Sequence, residues 1–389
     1  MSEHTVMVCA IDFLGVLLMA MMATCNEPRL RSRTEEARLL RVLVVCTVIG
    51  GVLDAVATAC DGVLDAGAAA LLVFSETTLH SAEMVTCFCW SAFLHLHMHG
   101  AVSRRVGLLL AAPAAFCIAV FVANLFVPLA FYLDDANMYT RLPFSLCWVI
   151  VSYGYLVYAL VYYVRMRTKG GLRFFPGWSL MIPVAVGGTA QVLVPWLPLF
   201  WPTLSIGVAA TLSSLQTEDV YRDQLTRLYN RAFLEYVSSG RMKQAADKMT
   251  GIMVDLNGFK AINDRFGHMV GDQAIVDAAH ILRAAAGDAG VAVRYAGDEF
   301  VVLLNTRDKT VVEQVMTDIR HGFQEFNERA ERPYQLSLSM GCYLLDPGEK
   351  SVDEFIAALD RALYEDKRRY YEEHPEADRR HADAEATAE

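Results

Sequence analysis

Basic residues are scarce in this sequence, and their scarcity excludes one class of partner. The chain has 34 lysines and arginines against 44 acidic residues, a formal net charge of −10. Proteins that bind nucleic acid concentrate positive charge on one face, often with aromatic side chains between the basic ones. No such patch occurs here, so nucleic acid is not expected as a partner.

Two further absences concern export and disulfide bonding. No lysine or arginine precedes Arg29, so the basic start of a cleaved signal peptide is missing, and we expect residues 1 to 25 to remain as a membrane span. Eight of the nine cysteines precede residue 216, and none follows a CxxC or disulfide spacing. These cysteines are therefore expected to be small packing residues.

Long apolar runs are plentiful in the first half of the chain, which is 54% hydrophobic overall. Runs of about 20 apolar residues, the length that crosses a bilayer core, recur before residue 216. They predict an all-α transmembrane bundle of about seven helices in contact with lipid, at about 6 to 25, 42 to 60, 71 to 94, 106 to 130, 142 to 164, 178 to 194 and 199 to 214. Four prolines interrupt the last two, which leaves a single kinked element or a re-entrant turn as alternatives: Pro183, Pro195, Pro198 and Pro202.

The basic residues of this half lie in alternate loops. Eleven occur in the first, third and fifth loops, whereas the other segments hold only Arg141. Because cytoplasmic loops carry the excess of lysine and arginine, this bias predicts an external N-terminus and, with seven spans, a cytoplasmic chain after residue 215. The expected location is a bacterial inner membrane.

The second half contains two acidic turns beside apolar strands. One strand ends in Asp255 and is followed by a turn at Gly258 and by Lys260, and a later hairpin places Asp298 and Glu299 at its tip. Carboxylates on neighbouring strand ends can hold divalent cations that bridge phosphate oxygens. Together the segments predict a site for a nucleoside triphosphate.

Five ordered blocks resemble the GGDEF-domain diguanylate cyclase family. They occupy 223–231, 252–272, 294–300, 337–341 and 362–367, so the resemblance covers residues 223 to about 370. It implies an α+β ferredoxin-like (βαββαβ) nucleotidyl-cyclase domain, with an antiparallel sheet and helices on one face. It also implies the condensation of two GTP to cyclic di-GMP with release of two pyrophosphates. We therefore expect a sensor domain over 1–214, a helical stalk over 215–224, the GGDEF domain over 225–371 and a disordered charged tail over 372–389.

The resemblance assigns roles to individual residues. Asp255, the Leu256 carbonyl and Asp298 are the expected ligands of Mg²⁺ or Mn²⁺, two ions per active site. Glu299 is the candidate proton acceptor, although its division of labour with Asp298 stays open. Lys260 is expected to stabilise the transition state.

Substrate contacts are implied in the same way. Asn263 and Asp272 match guanine-reading positions, and an aspartate that accepts from guanine donors has no equivalent partner on adenine. Further substrate contacts are expected from Phe259, His268 and Lys367. Because each half-site holds one GTP, the reaction requires a homodimer through the catalytic domains.

Several positions depart from the family pattern. Ala296 replaces the first glycine of the signature, Asn257 stands where many relatives carry aspartate, and Tyr371 replaces an arginine that only Arg368 or Arg369 could substitute. The positions of a family product-binding motif are Gly287 and Gly290, so we expect no inhibitory product site.

Two alternatives remain open. A degenerate domain could bind GTP without turnover and signal as a receptor, or a transporter or receptor could carry a regulatory appendage. The third span has Glu76, His80, Glu83 and Cys87 at helical spacing, followed by His95, His97 and His99. This set is either a metal, haem or proton sensor or a group of inter-helical hydrogen bonds, and we favour the hydrogen bonds.

Overall fold

The computed structural model describes residues 2–170, 175–194, 197–237, 249–329, 331–344 and 352–373. Its internal contacts divide the chain into two compact units, with the main boundary between Gln216 and Thr217. Most of the tail that we predicted as disordered, residues 374–389, lies outside the described residues.

The N-terminal unit is built from helices. Side-chain caps begin several of them: Ser2 accepts from the Thr5 N–H, Thr34 from the Ala37 N–H, and Asp65 from the Gly67 and Ala68 N–H groups. A short antiparallel hairpin, β1 (Phe131–Leu133) and β2 (Tyr139–Arg141), lies between the fifth and sixth helices. The helices are α1 (Glu3–Cys25), α2 (Glu27–Arg31), α3 (Glu35–Cys60), α4 (Ala66–His99), α5 (Arg104–Ala123), α6 (Ser145–Gly170), α7 (Trp178–Leu193) and α8 (Phe200–Val220).

Four helices within the described ranges are long and apolar enough to cross a membrane: α1, α3, α5 and the Ser145–Met166 part of α6. Helix α7 is apolar but shorter, and α4 carries Glu76 and Glu83 in its middle. The seven predicted spans are therefore not confirmed. The predicted span to residue 130 was also too long, because the Asn124 side chain accepts from the N–H groups of Leu129, Ala130 and Phe131 and forms a loop there.

The C-terminal unit contains a five-stranded sheet. Its strands are β3 (Tyr229–Asn230), β4 (Thr250–Asn257), β5 (Gly290–Ala296), β6 (Glu299–Leu304) and β7 (Ser337–Leu344), in the order β3-β5-β6-β4-β7. Strands β4 to β7 pair antiparallel, and β3 joins β5 in parallel. The βαββαβ connectivity of the last four strands agrees with the prediction.

Helices cover both faces of this sheet, so the prediction of one covered face was wrong. Its helices are α9 (Arg231–Tyr236), α10 (Phe259–Phe266), α11 (His268–Ala286), α12 (Lys309–Glu328) and α13 (Val352–Glu373). On one face Ile252 and Val254 pack with α11 and α12, and on the other Met253 packs with α9 and α13. Every residue of β4 is buried, which places this strand in the centre of the domain.

Two boundaries differ from the expected ones. Helix α10 was not predicted, since the sequence indicated only a turn at Gly258 between Asp255 and Lys260. The helix predicted to continue through residue 224 ends at Val220, because the Asn230 side-chain amide donates to the Val220 carbonyl at 2.8 Å and Asp223 starts a turn.

Candidate active site

Asp255 lies at the buried end of β4, in the middle of the sheet. It is 7% exposed and lies opposite Glu299 of β6 on one side and Ser339 of β7 on the other. The Lys367 ammonium of α13 forms an ion pair with the Asp255 carboxylate at 2.7 Å. Burial raises the pKa of Asp255 and Asp298 adds to the effect, against the opposing influence of Lys367.

The β5–β6 turn brings the second carboxylate to the same edge. Gly297 has a φ of +48°, and the Leu256 N–H donates to the Asp298 carbonyl at 3.3 Å. This bond ties the turn to the chain immediately after Asp255. Glu299 is partly buried, and burial together with the charge of Asp255 raises its pKa.

Ala296 has a strand conformation, so its methyl group does not strain the backbone. A methyl group at the first position of the signature would cost about 1 kcal/mol if that residue needed a positive φ. The left-handed residue of this turn is Gly297, and Ala296 ends β5 with a negative φ. The conformational cost considered for Ala296 therefore does not arise.

The turn after β4 leads directly into α10. Gly258 adopts a φ of +67° and precedes the first turn of α10, whose N-terminus has no side-chain cap. Phe259 and Lys260 occupy that turn, with Lys260 exposed. Because the first N–H groups of a helix have no intrahelical partners, the amides of this turn are suited to an anion.

The predicted base-reading residues lie on the helical hairpin of α10 and α11. A Cβ at Gly271 would come 1.9 Å from the Asn263 side-chain oxygen, so these helices approach closely only because residue 271 is glycine. Asp272 follows Gly271 and is exposed, as is His268 at the start of α11. The structure thus brings Asn263 beside the residue that precedes Asp272.

Asn257, which stands where many relatives carry aspartate, has a structural contact in this protein. It is 6% exposed, accepts from the Ser339 hydroxyl at 3.0 Å and donates to the Ser337 hydroxyl at 3.3 Å. Its amide connects β4 to β7, a contact that requires both a donor and an acceptor.

Arg368 and Arg369, the two arginines near Tyr371, both pair with carboxylates of their own helix α13. Arg368 pairs with Glu372 at 3.4 Å, and Arg369 pairs with Asp366 at 3.7 Å. Asp366 also accepts from the Met340 N–H at 2.9 Å. Lys367 is therefore the cation of α13 that contacts the acidic site.

One part of the site carried no assigned role in the sequence. Arg294 of β5 donates to the Gly297 carbonyl at 3.0 Å and pairs with Asp223 at 3.1 Å. Asp223 accepts in turn from the N–H and hydroxyl of Thr226. Although burial raises the pKa of Asp223, the bonds from Thr226 and Arg294 lower it below the ordinary value. The 223–231 block was visible in the sequence, but its bond to the acidic turn was not.

The donor set fits a hard divalent cation. Two carboxylates and a backbone carbonyl offer the oxygen ligands that Mg²⁺ prefers. The Lys367 ammonium, 2.7 Å from the Asp255 carboxylate, already pairs with the negative charge of this site. Within the described ranges, no three His, Cys, Asp or Glu side chains converge as a metal-binding group, so phosphate oxygens and water would complete the coordination.

The five-stranded sheet thus carries both acidic turns at one edge. Residues 220–372 match the family model for the diguanylate cyclase GGDEF domain. This chain therefore carries a GGDEF domain, and its relatives include diguanylate cyclases. Cyclases of this family generally use Mg²⁺.

Two curated relatives illustrate the similarity. Diguanylate cyclase A of Treponema denticola is 30% identical over 131 residues, which are 33% of this chain and 34% of the relative. Diguanylate cyclase VdcA of Vibrio cholerae is 29% identical over 154 residues, 39% of this chain and 45% of the relative. This chain thus spans less than half of either relative's length.

A solved structure is also similar. The coiled coil and GGDEF domain of DgcB from Caulobacter crescentus, in complex with c-di-GMP, is 26% identical with a TM-score of 0.35. The similarity covers 40% of this chain and 85% of that structure.

Proposed function

We propose that this protein is a membrane-bound diguanylate cyclase that condenses two GTP into cyclic di-GMP, releases two pyrophosphates and is regulated by its N-terminal unit. The observation that supports it best is the meeting of Asp255 and the Asp298 turn at one edge of the sheet, with Lys367 bonded to Asp255. Such an arrangement suits a triphosphate with its cations.

Asp255, the Leu256 carbonyl and Asp298 would hold two Mg²⁺ (or Mn²⁺). These ions would polarise the α-phosphate and lower the pKa of the attacking hydroxyl. Glu299 accepts the proton of the 3′-hydroxyl of one GTP. The 3′-oxygen of that GTP then bonds to the α-phosphorus of the other GTP. The bond from that phosphorus to the bridging oxygen breaks, and pyrophosphate leaves. Glu299 follows Asp298 directly and lies opposite Asp255 across β4 and β6, which places its carboxylate at the same edge of the sheet as the proposed metal ligands.

The remaining residues bind and orient the substrate. Lys260 and the first amides of α10 bind phosphate oxygens. When the substrate binds, the Lys367 ammonium turns partly away from Asp255 and contacts a phosphate. Asn263 and Asp272 read guanine, and His268 contacts the nucleotide. Because one domain supplies one such half-site, two copies must face each other, and the active protein is a homodimer.

The deciding experiment measures cyclic di-GMP and pyrophosphate from the purified full chain with GTP and Mg²⁺. The Glu299→Gln variant should lose at least ~100-fold in turnover, within the range that one acid–base group contributes, and Asp298→Asn should lose turnover because it removes an anionic metal ligand. Asp288→Asn is the matched control, because this exposed aspartate lies in the turn before β5, at the strand's other end.

Each result has a distinct meaning. A wild-type protein that binds a fluorescent GTP analogue but forms no product would be the degenerate receptor. Near wild-type turnover in the Asp298→Asn or Glu299→Gln variant would contradict the assigned roles. Loss of activity in Asp288→Asn as well would show that the effect is not specific to the acidic turn.

A further inference from the structure

The N-terminal unit contains an open-sided cavity of about 490 Å³. Its wall includes residues of α3, α4, α6, α7 and α8, and its volume lies in the range of small-molecule sites. Aromatic side chains supply much of the lining: Trp90, Trp148, Tyr153, Phe200 and Trp201.

One face of α4 directs acidic groups to this cavity. Glu76, His80 and Glu83 recur at helical spacing and all line it. Glu83 is 7% exposed and accepts from the Ser152 hydroxyl at 2.8 Å, and Glu76 lies 3.5 Å from the His80 ring. These contacts are with one hydroxyl and one histidine ring, and each carboxyl group therefore keeps acceptor capacity for a ligand.

His80 is itself held by aromatic neighbours. Its ring nitrogen bonds the Tyr139 hydroxyl at 3.1 Å, and its ring stacks on Phe121 with centroids 4.8 Å apart. The Trp148 ring lies 4.4 Å from it. This packing fixes the acidic face of α4 against the hairpin after α5.

Unpartnered polar atoms point to a missing binding partner. Among the described residues, Trp90 is 4% exposed and lines the cavity, yet its indole N–H has no hydrogen-bond partner. One carboxylate oxygen of Asp54, also in the lining, is buried without a partner. Such groups are costly unless something satisfies them.

Acidic side chains outnumber basic ones in the lining. Asp54, Asp61, Glu76 and Glu83 line the cavity, and the arginine in the lining is Arg141, which is exposed. Asp61 is already used, because it accepts from the Tyr139 N–H at 2.8 Å. The remaining carboxylates favour a cationic ligand.

The geometry favours an organic cation over a metal ion. No three His, Cys, Asp or Glu side chains of the described ranges converge as an ion's ligands would. Indole and phenol faces bind ammonium groups, and the cavity is large enough for an apolar body attached to one. Both features suit a charged nitrogen on a small organic molecule.

We propose that this cavity is a binding site for a small organic ammonium compound. The charged nitrogen pairs with the carboxylates of Glu83 and Asp54, and the apolar body lies against Trp90, Trp148 and Trp201. The site goes beyond the cyclase reaction and gives the N-terminal unit a ligand of its own.

Binding is measured on the purified full chain in detergent without nucleotide, so its failure leaves the cyclase proposal standing. Phenethylamine, cyclohexylamine and benzyltrimethylammonium are the probes, and 2-phenylethanol is the neutral match of the first. At least one cation should raise the thermal unfolding temperature and change the tryptophan fluorescence saturably. The alcohol should do neither at the same concentration.

Variants locate the effect. Glu83→Gln and Asp54→Asn keep the side-chain shape and should each weaken binding by about tenfold or more, the loss expected for one charge-assisted bond. Glu35→Gln is the matched control, because Glu35 is exposed at the start of α3 and outside the cavity lining. Should a variant fail to fold, the comparison of amine with alcohol on the wild-type chain still decides.

Four outcomes would overturn the proposal. The first is that none of the three cations binds saturably. The second is that 2-phenylethanol binds as well as phenethylamine, and the third is that both variants retain wild-type affinity. The fourth is that Zn²⁺ alone stabilises the protein and displaces phenethylamine, which would make the cavity a metal site.

Discussion

At the residue scale, one buried carboxylate should make the stability of the GGDEF domain depend on pH. Asp277 is 8% exposed and accepts from Arg332 at 2.9 Å and from the Tyr334 hydroxyl at 2.6 Å. Burial raises the pKa of Asp277, but these bonds outweigh burial and lower it below the ordinary value. A depressed pKa in the folded state stabilises the fold above the unfolded-state pKa, and that stability is lost as pH falls through the folded-state pKa.

Asp277→Asn should therefore destabilise the domain by about 1–3 kcal/mol near neutral pH, with the deficit shrinking in acid. Calorimetry of the full chain across a pH series measures this. Asp318→Asn is the control, because Asp318 accepts from a glutamine four residues earlier, as Asp277 does, but is exposed. A deficit that does not depend on pH would assign the cost to packing.

The signature turn makes a second prediction about single residues. Gly297→Ala should destabilise the domain by about 1 kcal/mol, because a side chain at a φ of +48° is strained. Ala296→Gly should change the unfolding temperature and turnover little, since Ala296 already has a strand conformation. If Ala296→Gly instead raised turnover several-fold, the methyl group would be limiting substrate access.

Product feedback should be weak or absent. The positions of the family's product-binding arginine and aspartate are Gly287 and Gly290 here. Gly287 has a φ of +47°, and a Cβ at Gly290 would meet the Leu303 carbonyl oxygen at 2.0 Å. Neither position offers a charged group, so the charge-assisted bonds cannot form. Titration of cyclic di-GMP into the cyclase assay checks this, and non-competitive inhibition at low micromolar product would reveal a site built from other residues.

At the element scale, the turn after α8 is bonded to the signature hairpin through Asp223 and Arg294. Asp223→Asn should lower both stability, by about 1–3 kcal/mol, and turnover, because the hairpin turn loses the group that orients Arg294 on Gly297. Hydrogen exchange of the β5–β6 amides in the full chain should rise. Arg329→Gln is the control. It removes an exposed ion pair to Glu325 and should leave the stability, the turnover and the hydrogen exchange of β5 and β6 unchanged.

The elements that the sequence predicts best have a clear local pattern. Helical apolar spacing predicts a helix over 309 to 328, and an apolar run directly after the acidic turn predicts a strand over 299 to 304; α12 and β6 have those bounds. Helix α10 was missed since it has eight residues between two glycines, too few for a periodic signal. The pairing of Asp255 with Lys367 joins residues far apart in the chain, and a local pattern carries no information on it.

At the scale of the whole molecule, the sequence predicted the division into a helical half and a GGDEF half more securely than the number of spans. Composition separates the two halves, whereas span count depends on helices such as α4, where buried acids interrupt an apolar run. In this structure those acids line a cavity, so the same residues that weaken the span pattern form the candidate ligand site.

The orientation of the molecule is the remaining prediction at this scale. Because eleven basic residues lie in alternate loops and only Arg141 in the others, the N-terminus should be external and the GGDEF domain cytoplasmic, where GTP is available. A reporter active only in the cytoplasm should be active when fused after Gln216 and inactive when fused at Met1. Replacing Arg104 and Arg105 by glutamine should weaken this asymmetry, whereas replacing Arg320, in the GGDEF domain, should not. Reporters on the same side would mean an even number of spans, and the loop assignment from Arg141 onward would then have to change.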